Sequence, residues 1–563
     1  MAQGGHDGGG VRTGFAGPWC WLACAVAGAL VGLALAWALP NDHHGPPPGA
    51  VRRPGVVEHG ASGESRTLVP LPQRGAGGAD GAGGAGGGEA AAGAGEGEGR
   101  AGGGVHGDDH GHAPATPLWL CIPFALLLLS IATMPFVNEH FWHRHYPDFA
   151  FFFGSIVAAY YLAAMGDHGV HALRHAMTEY YSFIALVGGL YVVSGGILIR
   201  FRGRGTPRAN TAVLAAGAVL ANLVGTTGAS VLLIRPYMRM NEGRLRPLHI
   251  VFFIFIVSNC GGCLTPIGDP PLYLGFLKGV PFFWTTTHLW PMWLATVGLL
   301  LGVFYVYDRG VQRRSGAPAL APAAAAADSG THGAVTVAGR GAIAALVLLV
   351  GGVMIDPALR AYAGVEGIPV GATFQVVVAA AAWRLARREI HEANRFDFHP
   401  VREVGLLFVG IFATMIPALE YLAQHGAELG LASPGGYFLG TGVLSAVLDN
   451  APTYLSFVQL SFSVLGLDVS HEGVRRVIDH AYTIVQGDGR TLRVAGADLL
   501  AAISLGAVFF GAMTYIGNGP NFMVKSIADA SGKVKMPSFF GYAALAAAIL
   551  GPVLLVVWAV FIR

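Results

Sequence analysis

Asp269 and Asp449 both fall inside long apolar stretches of the chain. An ionisable side chain at membrane depth is costly and is a functional hypothesis by default. A carboxylate that holds either a proton or a cation there permits competitive exchange, so these two are the candidate exchange groups. Oxygen-bearing side chains that suit a sodium ion stand near them in sequence. They are Asn222, Thr226, Thr227, Ser230, Asn259 and Thr265 in the first half, and Asn450, Thr453, Thr514, Asn518 and Asn521 in the second. Structural readings of the same residues remain open. Asp269, before two prolines, suits a helix cap. Asp449 suits a turn held by local hydrogen bonds, and single Ser or Thr residues suit helix packing.

What would position these groups is a seven-residue phrase that occurs twice. It reads Thr265-Pro266-Ile267-Gly268-Asp269-Pro270-Pro271 and returns as Thr514-Tyr515-Ile516-Gly517-Asn518-Gly519-Pro520. Pro266, Gly268, Pro270, Gly517, Gly519 and Pro520 are helix-breaking residues within apolar runs. Lipid cannot satisfy the backbone groups that a broken helix frees, so such a break is tolerated only where it lines a buried or wet site. Two breaks at matching places in two halves point to the binding site of a secondary transporter, where freed carbonyls and helix ends face the cargo.

The chain's 563 residues are 53% hydrophobic and only 12% charged, where globular domains carry about 25% charged residues. This predicts an all-α polytopic membrane protein whose main partner is the lipid bilayer. Nothing in the charge pattern suggests nucleic acid. The five cysteines all lie in apolar context, which argues against a disulfide scaffold. Cys260-Gly261-Gly262-Cys263 reads as small-residue packing beside the first break. Residues 1–40 read as a signal peptide or an N-terminal transmembrane helix, with Ala36-Trp37-Ala38 as the candidate cleavage site. Residues 41–116, rich in Gly and Ala, are expected to be a disordered exported linker. Its cluster of His106, Asp108, Asp109, His110 and His112 reads as a solvated polar patch rather than a metal site.

Arginine placement sets the topology. Spans are expected at about 117–136, 148–165 and 180–199. Arg200, Arg202, Arg204 and Arg208 precede the apolar segment 209–234, and Arg235, Arg239, Arg244 and Arg246 follow it. A single crossing would put one cluster outside, against the positive-inside rule. A re-entrant hairpin with its tip at Gly225-Thr226-Thr227-Gly228 removes the conflict. Residues 247–277 then cross outward and 284–307 return, ending the first repeat (117–314) at Arg309, Arg313 and Arg314. A cytoplasmic linker, 315–339, leads to the second repeat (340–563). Its spans fall at about 341–355, 369–383 and 403–423. A hairpin at 437–463 with Asp449-Asn450 at its centre enters from outside. After an exterior loop at 464–498, residues 499–524 cross through the second phrase, and 538–562 make the last span. Asp167, His168, His171, His175 and Glu179 are placed in an exterior loop, and Glu420 near an interface. The pattern is an inverted-topology repeat, each copy with a re-entrant hairpin and a broken helix.

These residues resemble the ion transporter superfamily of NhaD-type sodium/proton antiporters, arsenite permeases, citrate–metal carriers and divalent-anion/sodium symporters. Leu444–Thr453 resembles the Ser-Ala-x-x-Asp-Asn-x-Pro segment of NhaD-type antiporters, and Thr265–Asp269 resembles their Ser/Thr-Pro-Ile-Gly-Asp segment. The resemblance covers roughly 117–563. It departs at Pro270-Pro271 and at Gly225-Thr226, where the first hairpin lacks an Asp-Asn pair. It implies a scaffold with a mobile transport region, a bacterial-type inner (plasma) membrane and a homodimer.

Two function classes follow. One is sodium or other cation/proton antiport at the two carboxylates by alternating access. The other is sodium- or proton-coupled transport of citrate, another carboxylate or an arsenite-type anion. The absence of Lys and Arg from both breaks favours the first. No nucleophile motif, metal-binding His pair or phosphate loop is present, so the chain reads as a transporter, not an enzyme. Its expected ions are sodium and protons as cargo or coupling ions, with no cofactor.

Overall fold

Apolar runs become helices because lipid leaves a spanning backbone no other way to pair its own polar groups. The computed structural model describes residues 25–29, 31–32, 55–60, 65–69, 114–201, 205–314, 335–365, 367–485 and 490–563. The candidate cleavage triplet, the His106–His112 cluster, Arg202 and Arg204 lie outside these residues.

In chain order, β1 (Gly55–His59) and β2 (Ser65–Val69) precede α1 (Ile122–Val137), α2 (Glu139–Ala164) and α3 (Gly166–Gly195). Next come β3 (Leu198–Phe201) and α4 (Pro207–Met240). The first break is flanked by α5 (Pro247–Ile256) and α6 (Pro270–Leu277), and α7 (Trp284–Arg314) closes this half. The second half has β4 (Val335–Ala338), α8 (Arg340–Gly352), α9 (Ile355–Ala363), α10 (Val370–Leu385), α11 (Arg388–Asn394) and α12 (His399–His425). It continues through α13 (Pro434–Val447), α14 (Asn450–Leu465), α15 (His471–Asp479), β5 (Ala481–Val485) and β6 (Thr491–Ala495). The chain ends with α16 (Gly496–Phe510), α17 (Gly519–Ala530) and α18 (Phe539–Val557). Nine helical stretches among the described residues are long and apolar enough to cross a membrane. The chain is an all-α polytopic membrane protein.

One of those stretches, α4, does not run straight. Thirty-four residues of continuous helix would reach about 50 Å. Instead Asn210, near its start, and Asn241, just past its end, exchange amide hydrogen bonds of 2.8 Å in each direction. Gly205 N also donates to the Met240 carbonyl at 2.7 Å. The chain therefore turns back on itself at Gly225, whose φ of 77° and ψ of 155° break the helix. A buried knot fixes the hairpin's base: Asp308 of α7 accepts from Asn210 Nδ2 at 2.7 Å and bonds His249 Nε2 and Arg244. The second hairpin is α13 and α14, with the Tyr437 and Phe457 rings 6.4 Å apart between its arms.

Around the hairpins, small residues let helices approach closely. Gly154 of α2 faces Gly410 of α12. Phe183 of α3 stacks on Phe408 of α12 at 4.7 Å.

Three expectations change. Residues 41–116 are not wholly without structure, because β1 pairs with both β2 and β5, and β6 completes a sheet ordered β2-β1-β5-β6. The β-branched residues Val56, Val57, Thr67 and Val69, with Glu58 paired to Arg476 at 2.5 Å, supply what a Gly/Ala composition hides. The linker 315–339 likewise ends in β4, paired with β3. The group Asp167, His168, His171, His175 and Glu179 lies on α3, not in a loop. His168 bonds Glu420 at 2.9 Å and Glu179 pairs with Lys278 at 2.7 Å, and these partners hold its polar first turns in helix.

Candidate transport site

In each half the broken helix follows one local plan. After α5, a short turn over Cys260–Gly262 leads to an extended Asp269 (φ −141°, ψ 143°) before α6 begins at Pro270. After α16, a turn over Gly511–Met513 leads to an extended Asn518 (φ −155°, ψ 136°) before α17. Pro270 and Pro520 fit the first helical turn because its N–H groups have no intrahelical partner.

The hydrogen bonds recur as well. Thr265 Oγ1 donates to the Asn222 carbonyl at 2.7 Å, and Thr514 Oγ1 to the Ala446 carbonyl at 2.5 Å. Gly268 N donates to Thr265 Oγ1 at 3.1 Å, and Gly517 N to Thr514 Oγ1 at 3.2 Å. Each phrase is thus a loop tied by its own threonine to the preceding hairpin. The glycines matter for closeness: a Cβ on Gly268 would lie 2.0 Å from the Gly262 carbonyl oxygen.

Asp269 is the centre of the site. Its side chain is 1% exposed and makes no capping bond to the helix it precedes. Its Oδ1 accepts from Thr226 Oγ1 at 2.8 Å and from Asn518 Nδ2 at 2.9 Å. Its Oδ2 accepts from Asn450 Nδ2 at 2.7 Å. The donors come from the first hairpin tip, the second break and the second hairpin tip. Among the described residues no Lys or Arg pairs with it.

An amide chain extends from this point. Asn518 Nδ2 lies 3.1 Å from Asn259 Oδ1, and Asn259 Nδ2 donates to Asn521 Oδ1 at 2.6 Å. Asn521 Nδ2 in turn caps the freed carbonyls of Gly511 (2.8 Å) and Thr514 (2.9 Å). Asn222 plays the corresponding part in the first half, donating to Gly261 O at 2.7 Å and accepting from Leu264 N at 2.8 Å.

Asp449 sits differently. Its Oδ1 accepts from Ala451 N at 3.0 Å as the N-cap of α14, and its carbonyl accepts from Thr453 Oγ1 at 2.8 Å. Of the two acids, Asp449 is the one whose side chain caps a helix. Thr227 lines a cavity of about 20 Å³ beside Asp269, Gly225 and Tyr273, room for about one water-sized occupant. Ser230 is drawn away to Ser258, with the hydroxyls 2.7 Å apart.

Sequence reasoning missed the groups that engage the freed backbone from outside the phrases. Thr285 and Thr286 Oγ1 both donate to Leu264 O, at 2.9 and 2.6 Å, and Trp293 Nε1 donates to Gly261 O at 2.9 Å. The run Thr285-Thr286-Thr287 at the head of an apolar helix was the available signal. These carbonyls are engaged by the protein, which leaves the Asp269 carboxylate as the prominent charged oxygen donor at the junction.

Residues 113–562 match a family model, CitMHS_2, described as "Putative citrate transport". The chain belongs to this family. It is a citrate-transporter-like membrane permease, and the match takes in both hairpins and both breaks. No curated protein matches this family member.

Proposed function

We propose that the protein is a secondary active transporter that exchanges a monovalent cation, sodium foremost, for protons at Asp269. The observation that carries this reading is a buried carboxylate held by two hairpin tips and Asn518, with hydroxyl and amide partners and no basic one. An ionised carboxylate buried without a counter-charge is costly, so a bound proton or metal cation is the natural neutraliser, and the two compete. Thr226, Asn450 and Asn518 orient the carboxylate. An amide turned end for end offers its oxygen, so Asn450 and Asn518 serve the proton-loaded and the cation-loaded states alike.

In this reading the hairpins enter from opposite faces, as an inverted repeat, and alternating access exposes the junction to each side in turn. Asp449, at the second tip, serves as an accessory acid. The motif likeness to NhaD-type antiporters supports the same choice.

The family description supports a second reading, cation-coupled citrate uptake, in which Asp269 holds the coupling cation. Proteoliposomes with an internal pH dye separate the two. Sodium- or lithium-evoked proton movement that Asp269→Asn abolishes supports antiport. Accumulation of radiolabelled citrate with no cation-evoked pH change overturns it in favour of the second reading.

A further inference from the structure

We propose that the crevice between α8 and α10 is a binding site for an anionic phospholipid. Ala342, Ala345, Ala382 and Gly196 line a cavity of about 620 Å³ that bulkier side chains would fill. Leu348 and Leu385 also line it and are 54% and 84% exposed. On a membrane protein that exposure faces acyl chains, not water.

Charge selects among apolar occupants. Arg340, at the first residue of α8, and Arg387, just beyond α10, line the same cavity. Gly196, at the end of α3, lies against both, because a Cβ there would sit 2.9 Å from Ala342 Cβ and 3.5 Å from Ala386 Cβ. The helix ends thus meet at one edge; Arg384 stands in the last turn of α10 and Arg200 on β3, opposite Thr336 of β4, and both add positive charge to these elements. Guanidinium groups match phosphate oxygens in geometry and charge. Basic pockets between helices at this kind of edge hold phospholipid headgroups. A second copy of the chain seated here by a two-fold axis would bring like charges together, which disfavours that occupant.

The test uses the purified full chain and native mass spectrometry, with phosphatidylglycerol, phosphatidylcholine and inorganic phosphate as probes. Phosphatidylglycerol is expected to bind about thirtyfold more tightly than phosphatidylcholine, the effect of two arginines near a headgroup. Arg340→Gln with Arg387→Gln should erase that preference, and Leu348→Trp, which fills the crevice, should weaken both lipids. All three substitutions are at exposed positions, and an unchanged melting transition checks the fold. Equal binding of the two lipids overturns the proposal, as does phosphatidylglycerol binding that the double variant leaves intact. Displacement of the lipid by equimolar inorganic phosphate overturns it in favour of a free-anion site. Loss of a dimer in Leu348→Trp with lipid binding unchanged overturns it in favour of a second copy.

Discussion

Asn450 and Asp269 belong to different halves of the chain and are joined by a 2.7 Å hydrogen bond from Nδ2 to Oδ2. With Thr226 on the other carboxylate oxygen, the two hairpin tips grip one acid. Removing Asn450 leaves Oδ2 without that donor while the rest of the site stands. A hydrogen bond to a charged group contributes about 1.5–3 kcal/mol. Asn450→Ala should therefore raise the half-saturating cation concentration by roughly tenfold or more. The cation dependence of the pH-dye signal measures this, and an unshifted curve would remove Asn450 from the site.

The two acids should respond differently to loss of charge. Asp269→Asn is expected to abolish exchange. Asp449→Asn should leave a measurable rate, because asparagine caps a helix about as well as aspartate. Asp449→Ala loses the bond to Ala451 N and should cost about 1 kcal/mol of stability. Thermal unfolding of the two Asp449 variants separates cap from charge. If Asp449→Asn is as inactive as Asp269→Asn, the second acid is an equal partner in exchange.

Gly225 should tolerate no side chain. Its φ of 77° with ψ of 155° is a conformation reserved for glycine, and a Cβ would lie 3.2 Å from the Ile267 carbonyl oxygen. Gly225→Ala is expected to cost about 1–3 kcal/mol and to slow transport by displacing Thr226. A wild-type melting temperature and rate would show that the tip adopts another shape.

The clasp between Asn210 and Asn241 offers a direct check on the first hairpin. Cysteines at these two positions, in a background without the native ones, should cross-link under mild oxidation. Asn210→Ala should destabilise by about 1–3 kcal/mol, because buried Asp308 and Asn241 each lose a partner. Failure of the cysteine pair to cross-link would mean that the arms do not meet.

The sheet outside the helices should weaken in acid. Burial raises the Glu58 carboxyl, but the paired Arg476 guanidinium and His480 outweigh it, so the folded value lies below the usual glutamate value of 4.5. A depressed folded value means the stabilisation is complete above the unfolded value and disappears as pH falls through the folded one. The partly exposed pair contributes about 1 kcal/mol. Amide-exchange protection in β1, corrected for the intrinsic pH dependence of exchange, should fall below pH 4.5 in the wild type, and Arg476→Gln should remove that dependence. An unchanged profile in the variant would assign the acid sensitivity elsewhere.

Much of this was legible in the residues. The spans follow from apolar runs, and the first hairpin follows from arginines on both its flanks, which a crossing helix does not carry. The repeated phrase located Asp269 and Asn518 because Gly and Pro mark a break wherever it falls. Strand β1 was hidden, because its partner β5 lies more than four hundred residues away and local composition carries no trace of it, and β2 pairs only with β1. The roles of the two acids were also hidden. Asp-Asn at 449–450 looks like the stronger site, yet only folding shows that Asn450 turns to Asp269 while Asp449 caps its own helix.

The small β3–β4 sheet has a further consequence. Two hydrogen-bonded strands lie on one side of a membrane, so the chain between Phe201 and Val335 must cross it an even number of times. In the proposed topology the broken helix with α5 and α6 crosses once, and α7 crosses once. Under that reading parity leaves no crossing for α4, whatever its length and hydropathy suggest. A pair of four-residue strands thereby acts as a checksum on the topology of the membrane domain.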